Sequence, residues 1–567
     1  MRRAPIAVSM ALLIVLAGCS SFKGAGGGSG IDAGDGGAGG VDGGDGGVSA
    51  GSGSADAGAT SAKGETVGVS VGGAQDANAF RTNVREGYVP QPTDLTYEGL
   101  YHDYYFDTNQ KRPCEARFCP SYSRAVTRDP ISNETEQFLA VGLNSGLTKE
   151  DFQRKKLNLI VVLDTSGSMG SPFDEYYYDG GEKKRVENNQ RKMDAAADAV
   201  ATLTRKLNGD DRIGVVTYSN GANRLQSLRS VNETDMDRLR TRVEGIRANG
   251  GTNLDAGMRT ARAMAEQHAG EEGYATRIVY VTDAQPNLGD TGGASLKSRL
   301  QAHASSGIHS TFVGVGVDFN SRLTETVATV RGANYYSVHS PAQFEERMSD
   351  GFKYMVTPLA HDLSLSVETD GYEIESVYGS PQDASSGRLI HVTTLFPSRS
   401  TGNKSEGSVI LLELNRTADA VGEVTLTASY EDPNGTPHET TRTVTFADQS
   451  TPYYEGSGVR KAVVLTEYAT LMRNWMYHER AGRDGEEPTP DEGIERRQLG
   501  RWEQQSVPLR VSAPYDQRIE RFETYFRQHK RALGAERMDR DLAILQRLSE
   551  RGENEGESEE PAAVEPA

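Results

Sequence analysis

The chain of 567 residues holds three cysteines and two tryptophans, and past its first twenty residues it has no apolar run long enough to cross a bilayer. Each scarcity narrows the reading. Three cysteines cannot build a disulfide-dense scaffold, and a pair of them cannot hold a structural zinc, which takes four ligands. Positive charge is short too: 61 Lys and Arg face 80 Asp and Glu, and the formal net charge of -19 argues against a broad nucleic-acid or anionic-membrane surface. Enzyme signatures are absent. The ten histidines form no HExxH zinc motif, no GxSxG elbow surrounds Ser166 or Ser168, and Asn249-Gly250-Gly251-Thr252 lacks the lysine of a Walker A loop.

What is present begins with Met1-Arg2-Arg3 and an apolar stretch over 6–16, the charged and apolar regions of a secretion signal, here expected over 1–18. Leu16-Ala17-Gly18-Cys19 resembles the bacterial lipobox, which implies cleavage before Cys19 and lipid on it. The expected location is therefore the bacterial cell envelope, lipid-anchored at the outer membrane or facing the periplasm. Export sets an oxidising context, and Cys114 and Cys119 remain as an even pair, expected to form a disulfide. Residues 19–78 are rich in Gly, Ser, Ala and Asp with little to bury, and they read as the lipidated cysteine plus a flexible tether. An N-terminal segment rich in aromatics follows over 79–155, too apolar for a linker and expected to pack onto another module.

From 156 to 356 strand and helix signals alternate, which predicts an α/β fold with a Rossmann-like, doubly wound, mostly parallel sheet. Strands are expected at 157–163, 212–218, 276–282, 310–317 and 335–338. Helices are expected at about 192–207, 233–247, 253–268, 294–305 and 320–331, with another from Pro341. Over 357–450 the period changes to two, as in Leu363, Leu365 and Val367, and Asp432-Pro433-Asn434-Gly435 is a hairpin turn, so an antiparallel β-sandwich module is expected. Residues 451–550 read as helical, with Val459, Ala462, Val463, Thr466, Ala469, Met472 and Met476 on one face. An acidic, disordered tail is expected over 551–567.

The chemistry centres on Asp164-Thr165-Ser166-Gly167-Ser168-Met169, directly after the apolar run Leu159-Ile160-Val161-Val162-Leu163. A carboxylate and two hydroxyls on alternate residues can converge on one point, and hard divalent cations prefer oxygen ligands. The competing reading is a helix N-cap. Two further loops add ligands: Gly250-Gly251-Thr252 brings a hydroxyl ahead of a helix, and the strand Arg277-Ile278-Val279-Tyr280-Val281-Thr282 ends in Asp283. The order DxSxS, GGT, then a strand ending in TD resembles the von Willebrand factor A domain. The resemblance implies a metal-ion-dependent adhesion site in which Ser166, Ser168 and Thr252 coordinate by hydroxyl, and Asp164 and Asp283 directly or through water. Motif-level similarity covers about 156–356; the flanks match exported bacterial lipoproteins with this domain in organisation only.

The expected cofactor is Mg²⁺, because few ligands in a tight loop suit a six-coordinate ion that keeps water; Mn²⁺ also fits, and Ca²⁺ is the remaining alternative. With three neutral hydroxyl ligands the ion keeps at least one position held by water, and the resemblance implies that a carboxylate of a protein partner takes that position. The expected function is metal-dependent binding of a partner that offers an acidic residue, and not catalysis. The alternatives are an envelope protein whose metal only stabilises its fold and a phosphatase-like hydrolase using Asp164. Two departures from the family pattern stand out. About twenty extra residues follow Met169, and their Tyr176, Tyr177 and Tyr178 are expected either to contact the partner or to cover the domain's own flank. Asp283-Ala284 stands where the family often has Asp-Gly.

Overall fold

A strand that reads as unbroken Leu, Ile and Val must be covered on both faces. In the computed structural model that run lies in the strand Lys156–Asp164, buried from Leu157 onward. The structure describes residues 66–111, 113–150, 152–173, 190–283, 286–317, 319, 329–349, 351–369, 371–380, 389–417, 422–445, 450–481 and 507–558. The strand belongs to a seven-stranded sheet ordered Gly73–Ala74, Asn334–Val338, Ile308–Val315, Tyr274–Thr282, Lys156–Asp164, Arg212–Tyr218, Ala222–Ser230. Neighbours are parallel except at the last edge, where Ala222–Ser230 is antiparallel.

Alternate residues of the central strand serve two cores. Leu157, Leu159, Val161 and Leu163 pack with the helices Lys192–Thr204, Met236–Glu244, Pro341–Met348 and Phe352–Val356. Ile160 and Val162 pack with Leu254–Ala265 and Gly293–Ser305 on the other face. After Asp164 the chain returns through Arg212–Tyr218 on one side, and after Thr282 through Ile308–Val315 on the other. The loops following Asp164 and Thr282 thus flank the crevice where an open α/β sheet collects ligands. The expected helix at 320–331 lies, over 320–328, outside the described residues.

Two five-stranded antiparallel sheets stand beside this unit. One runs Gly68–Val71, Leu389–Ser398, Ala360–Thr369, Glu423–Glu431, Pro437–Thr445, and the other Tyr372–Tyr378, Val409–Arg416, Thr135–Asn144, Cys119–Arg128, Tyr453–Tyr454. They share one core, with Leu363, Leu365 and Leu426 from the first and Leu139, Val141 and Ile410 from the second. Two expectations need correction. The sequence pattern predicts the antiparallel module at 357–450 alone, yet Cys119–Arg128 and Thr135–Asn144 arrive from before the α/β sheet. Val409–Arg416, buried from Val409 to Leu414, needs a neighbour on each side, and Thr135–Asn144 supplies the second. The tether expected up to residue 78 also ends early: Val67, Val69 and Val71 are buried, and Gly68–Val71 pairs with Leu389–Ser398. Alternating valines set among glycines carried that strand. The signal segment and Cys19 lie outside the described residues.

The helices Ser457–Ala481, Ala513–Leu533 and Asp539–Ser558 bury the expected apolar stripe against the N-terminal segment, where Phe80, Leu100, Tyr101 and Phe106 join Val463, Met472, Trp475 and Phe526 in one core. The last helix continues to Ser558, so helix extends past the expected tail boundary at 551, and 559–567 lie outside the described residues. Cys114 and Cys119 form a disulfide with Cα atoms 5.8 Å apart. Among the described residues no helix is long and apolar enough to cross a membrane.

Candidate metal centre

Asp164 closes the central strand, and its fully buried carboxylate ties three segments together. Oδ1 accepts the Ser166 N–H at 2.9 Å, while Oδ2 lies 2.8 Å from the Tyr218 hydroxyl and 2.6 Å from that of Thr282. Tyr218 and Thr282 are also 2.9 Å apart, so both of their protons serve the carboxylate best. Burial pushes the Asp164 carboxyl above the usual carboxylate range, and the hydrogen bonds from Thr282, Ser166 and Tyr218 oppose that push. Burial, then the Asp164 charge, drives the Tyr218 phenol far up, which keeps its proton in place as a donor.

The hydroxyls of Ser166 and Ser168 are both buried and stand 3.1 Å apart. Two oxygens on adjacent corners of an octahedron with bonds of ~2.1 Å are about 3 Å apart, so this pair suits Mg²⁺ or Mn²⁺. The loop that carries Thr252 is tied to this one through the backbone: Gly167 N–H donates to Gly250 O at 2.9 Å, and Asn249 N–H to Thr165 O at 2.7 Å. The turn is held from outside by two asparagines. Asn220 Oδ1 accepts the Gly251 N–H at 2.7 Å, and Asn287 Oδ1 accepts the Thr252 N–H at 2.8 Å. Asn253 then caps the helix Leu254–Ala265, its side chain accepting the Ala256 N–H.

Asp283, fully buried, follows Tyr274–Thr282, and its Oδ2 lies 3.5 Å from Lys192 Nζ. The structure therefore brings Asp164, Ser166, Ser168, Thr252 and Asp283 to one end of the sheet, on three loops linked by hydrogen bonds. These oxygen donors fit a hard divalent cation. Tyr176, Tyr177 and Tyr178 fall outside the described residues, as does Ala284. Four contributors went unread in the sequence: Tyr218, Asn220, Asn287 and Lys192. Tyr218 left a trace as the last residue of an expected strand, and Lys192 as the first residue of an expected helix. Elsewhere, Asp129, Glu136 and Glu467 place carboxylate oxygens within 4.8 Å of one another beside a cavity of about 840 Å³.

Residues 159–285 match the profile of the von Willebrand factor type A domain. The chain is similar to the uncharacterized protein YfbK of Escherichia coli, 24% identical over 345 residues that take in 57% of this chain and 56% of that protein. It is similar also to human inter-alpha-trypsin inhibitor heavy chain H4, 23% identical over 256 residues, 44% of this chain and 25% of that one. The chain thus spans about half the length of the first relative and a quarter of the second. Among solved structures, a von Willebrand factor type A protein from Catenulispora acidiphila is 16% identical over 65% of this chain and 82% of its own, with a TM-score of 0.40.

Proposed function

Starting from a chain that carries a von Willebrand factor type A domain, we propose that it is a lipid-anchored protein of the cell envelope that holds a protein partner through a divalent metal. The observation that carries this reading is the pair of buried serine hydroxyls 3.1 Å apart, beside an Asp164 whose oxygens already accept three donors. Ser166, Ser168 and Thr252 are the proposed direct ligands. Asp164, committed to Ser166, Tyr218 and Thr282, acts by fixing the loops and through water, and Asp283 completes the set from the neighbouring strand end. A divalent ion held there supplies a Lewis-acid position that an outside carboxylate can fill. The doubly wound arrangement proposed for the core matters because it sets two loops that follow neighbouring strands, and the helix-to-helix loop carrying Thr252, around one crevice. Anchoring through Cys19 belongs to the same proposal and gives the site reach from the membrane.

A binding site, and not a catalytic one, is the reading favoured here because the two hydroxyls a hydrolase would use as nucleophiles are the proposed metal ligands, while Tyr218 is held as a donor and Asp164 already accepts three hydrogen bonds. The test is capture of partners from an envelope extract by the full chain in Mg²⁺, in chelator, and with Ser166→Ala/Ser168→Ala. Capture that requires Mg²⁺ and is lost in the double variant is the expected result. Capture indifferent to chelator and variant would return the metal to a stabilising role, and phosphate release from a generic phosphomonoester would favour a hydrolase.

A further inference from the structure

The anomaly near the site is Lys192. It has no solvent exposure, and an ammonium taken out of water is costly unless something repays it. Its position makes matters worse. Lys192 is the first residue of the helix Lys192–Thr204, the end at which backbone N–H groups already present positive potential. The backbone is pinned as well: Lys192 N–H donates to Ser171 O at 3.0 Å, three residues beyond Ser168.

The surroundings are shaped to receive this side chain. Gly316 has φ +92, and a Cβ there would stand 2.4 Å from Lys192 Cε and 3.1 Å from Nζ, so only glycine leaves the path open. His339 beside it is kept neutral: burial first, and then the Lys192 charge, pull its imidazole down to about 3. The carboxylate facing Nζ is Asp283, itself fully buried, at 3.5 Å. Two buried opposite charges at the end of the sheet that also carries Ser166, Ser168 and Thr252 belong to one electrostatic unit.

We infer that Lys192 is a built-in counter-charge of the metal centre, a positioning residue that weakens cation binding while making the loaded site select an anionic partner. The inference rests on the metal reading above. Its logic is a sum of formal charges. Asp164 and Asp283 together carry two negative charges and Lys192 one positive, so a bound divalent ion leaves one net positive charge beside the open position. Without Lys192 the loaded site is neutral. Inside a low-dielectric site that single charge decides whether a carboxylate arriving from solvent is repaid for its lost water. Lys192 also sets an opposite charge 3.5 Å from Asp283 before any metal arrives, which offsets the mutual repulsion of the buried carboxylates.

The experiment titrates the full chain with Mn²⁺ alone by calorimetry, then titrates the Mn²⁺-loaded protein with a short poly-glutamate peptide, read by water-proton relaxation. Lys192→Met should bind Mn²⁺ about tenfold more tightly and the peptide about tenfold more weakly. Opposite signs are the signature, since a purely structural lysine moves both affinities the same way. Unchanged affinities, or joint weakening in Lys192→Met, overturn the inference. Lys192→Gln gives the same reading if the methionine variant does not fold, and failure of both to fold assigns Lys192 to the scaffold and overturns it too. Wild-type protein that binds no Mn²⁺ sinks the metal reading itself, a separate outcome visible before any variant is made.

Discussion

Tyr218 shows how one hydroxyl can govern a site it does not occupy. Its proton goes to Asp164 Oδ2 at 2.8 Å, and burial leaves that carboxylate no water to substitute for it. Tyr218→Phe keeps the ring and removes the donor. A hydrogen bond to a charged group is worth roughly 1.5–3 kcal/mol, and loss of a group that orients a ligand commonly costs 10- to 100-fold in metal affinity. The variant should therefore unfold at lower denaturant and bind Mn²⁺ about tenfold more weakly, with unchanged affinity showing that Asp164 is oriented without it. At this scale Asp164, Ser166, Ser168, Thr252 and Asp283 were grouped in the sequence by the resemblance of their three loops to a known family, and the structure brings those loops to one end of the sheet. Tyr218 and Lys192 were not. A tyrosine ending a strand reads as core, and a lysine opening a helix reads as solvated, so only the packing of Gly316 and Asp283 around Lys192 reveals its burial.

Among elements, the tightest constraint is the turn that delivers Thr252. Gly250 sits at φ +85, and a Cβ there would come within 3.1 Å of the Asn220 side chain that holds Gly251. An L-residue in that conformation costs about 1–2 kcal/mol. Gly250→Ala should accordingly lower the melting temperature by several degrees and weaken Mn²⁺ binding as Thr252 shifts, whereas Gly221→Ala, with nothing within 4 Å of its added carbon, should change neither. Equal behaviour of the two variants in melting and titration would show that the turn is not what sets Thr252. The turn's need for glycine could be read from Gly250-Gly251 itself, and the central strands could be read from their apolar runs. The edge strand Ala222–Ser230 could not. It pairs on one side only and has no fully buried residue, so its Arg, Asn and Gln residues carry no period that distinguishes it from a loop.

The whole molecule is closed by contacts between its two flanks, which no local pattern announces. Thr135–Asn144 takes its place beside Val409–Arg416, and the helix Asn78–Glu86 meets the helix Asp539–Ser558 through a buried ion pair. Arg81 Nε and Nη2 reach the two oxygens of Asp541 at 2.8 and 3.1 Å, and its Nη1 reaches Asp103 at 2.5 Å, with both partners of the Asp541 pair out of solvent. Burial alone would raise the Asp541 carboxyl, but Arg81 and Arg540 more than reverse that and hold it below the usual range. Such a pair is weak evidence for net stability, yet breaking it from one side strands the other charge, at about 3–5 kcal/mol. Asp541→Asn should cost on that order near pH 7. The sign with pH follows from the lowered value: the carboxylate's contribution is complete above the unfolded value near 3.9 and disappears as pH falls through the lower folded one. Denaturation midpoints of wild type and Asp541→Asn should therefore stand apart at neutral pH and converge as the pH drops below about 4. A gap that stays constant down to acid would place the loss in packing around residue 541 instead of in its charge. A wide gap at neutral pH that spares Mn²⁺ binding would show, in addition, that the flanks hold the molecule together without tuning the metal centre.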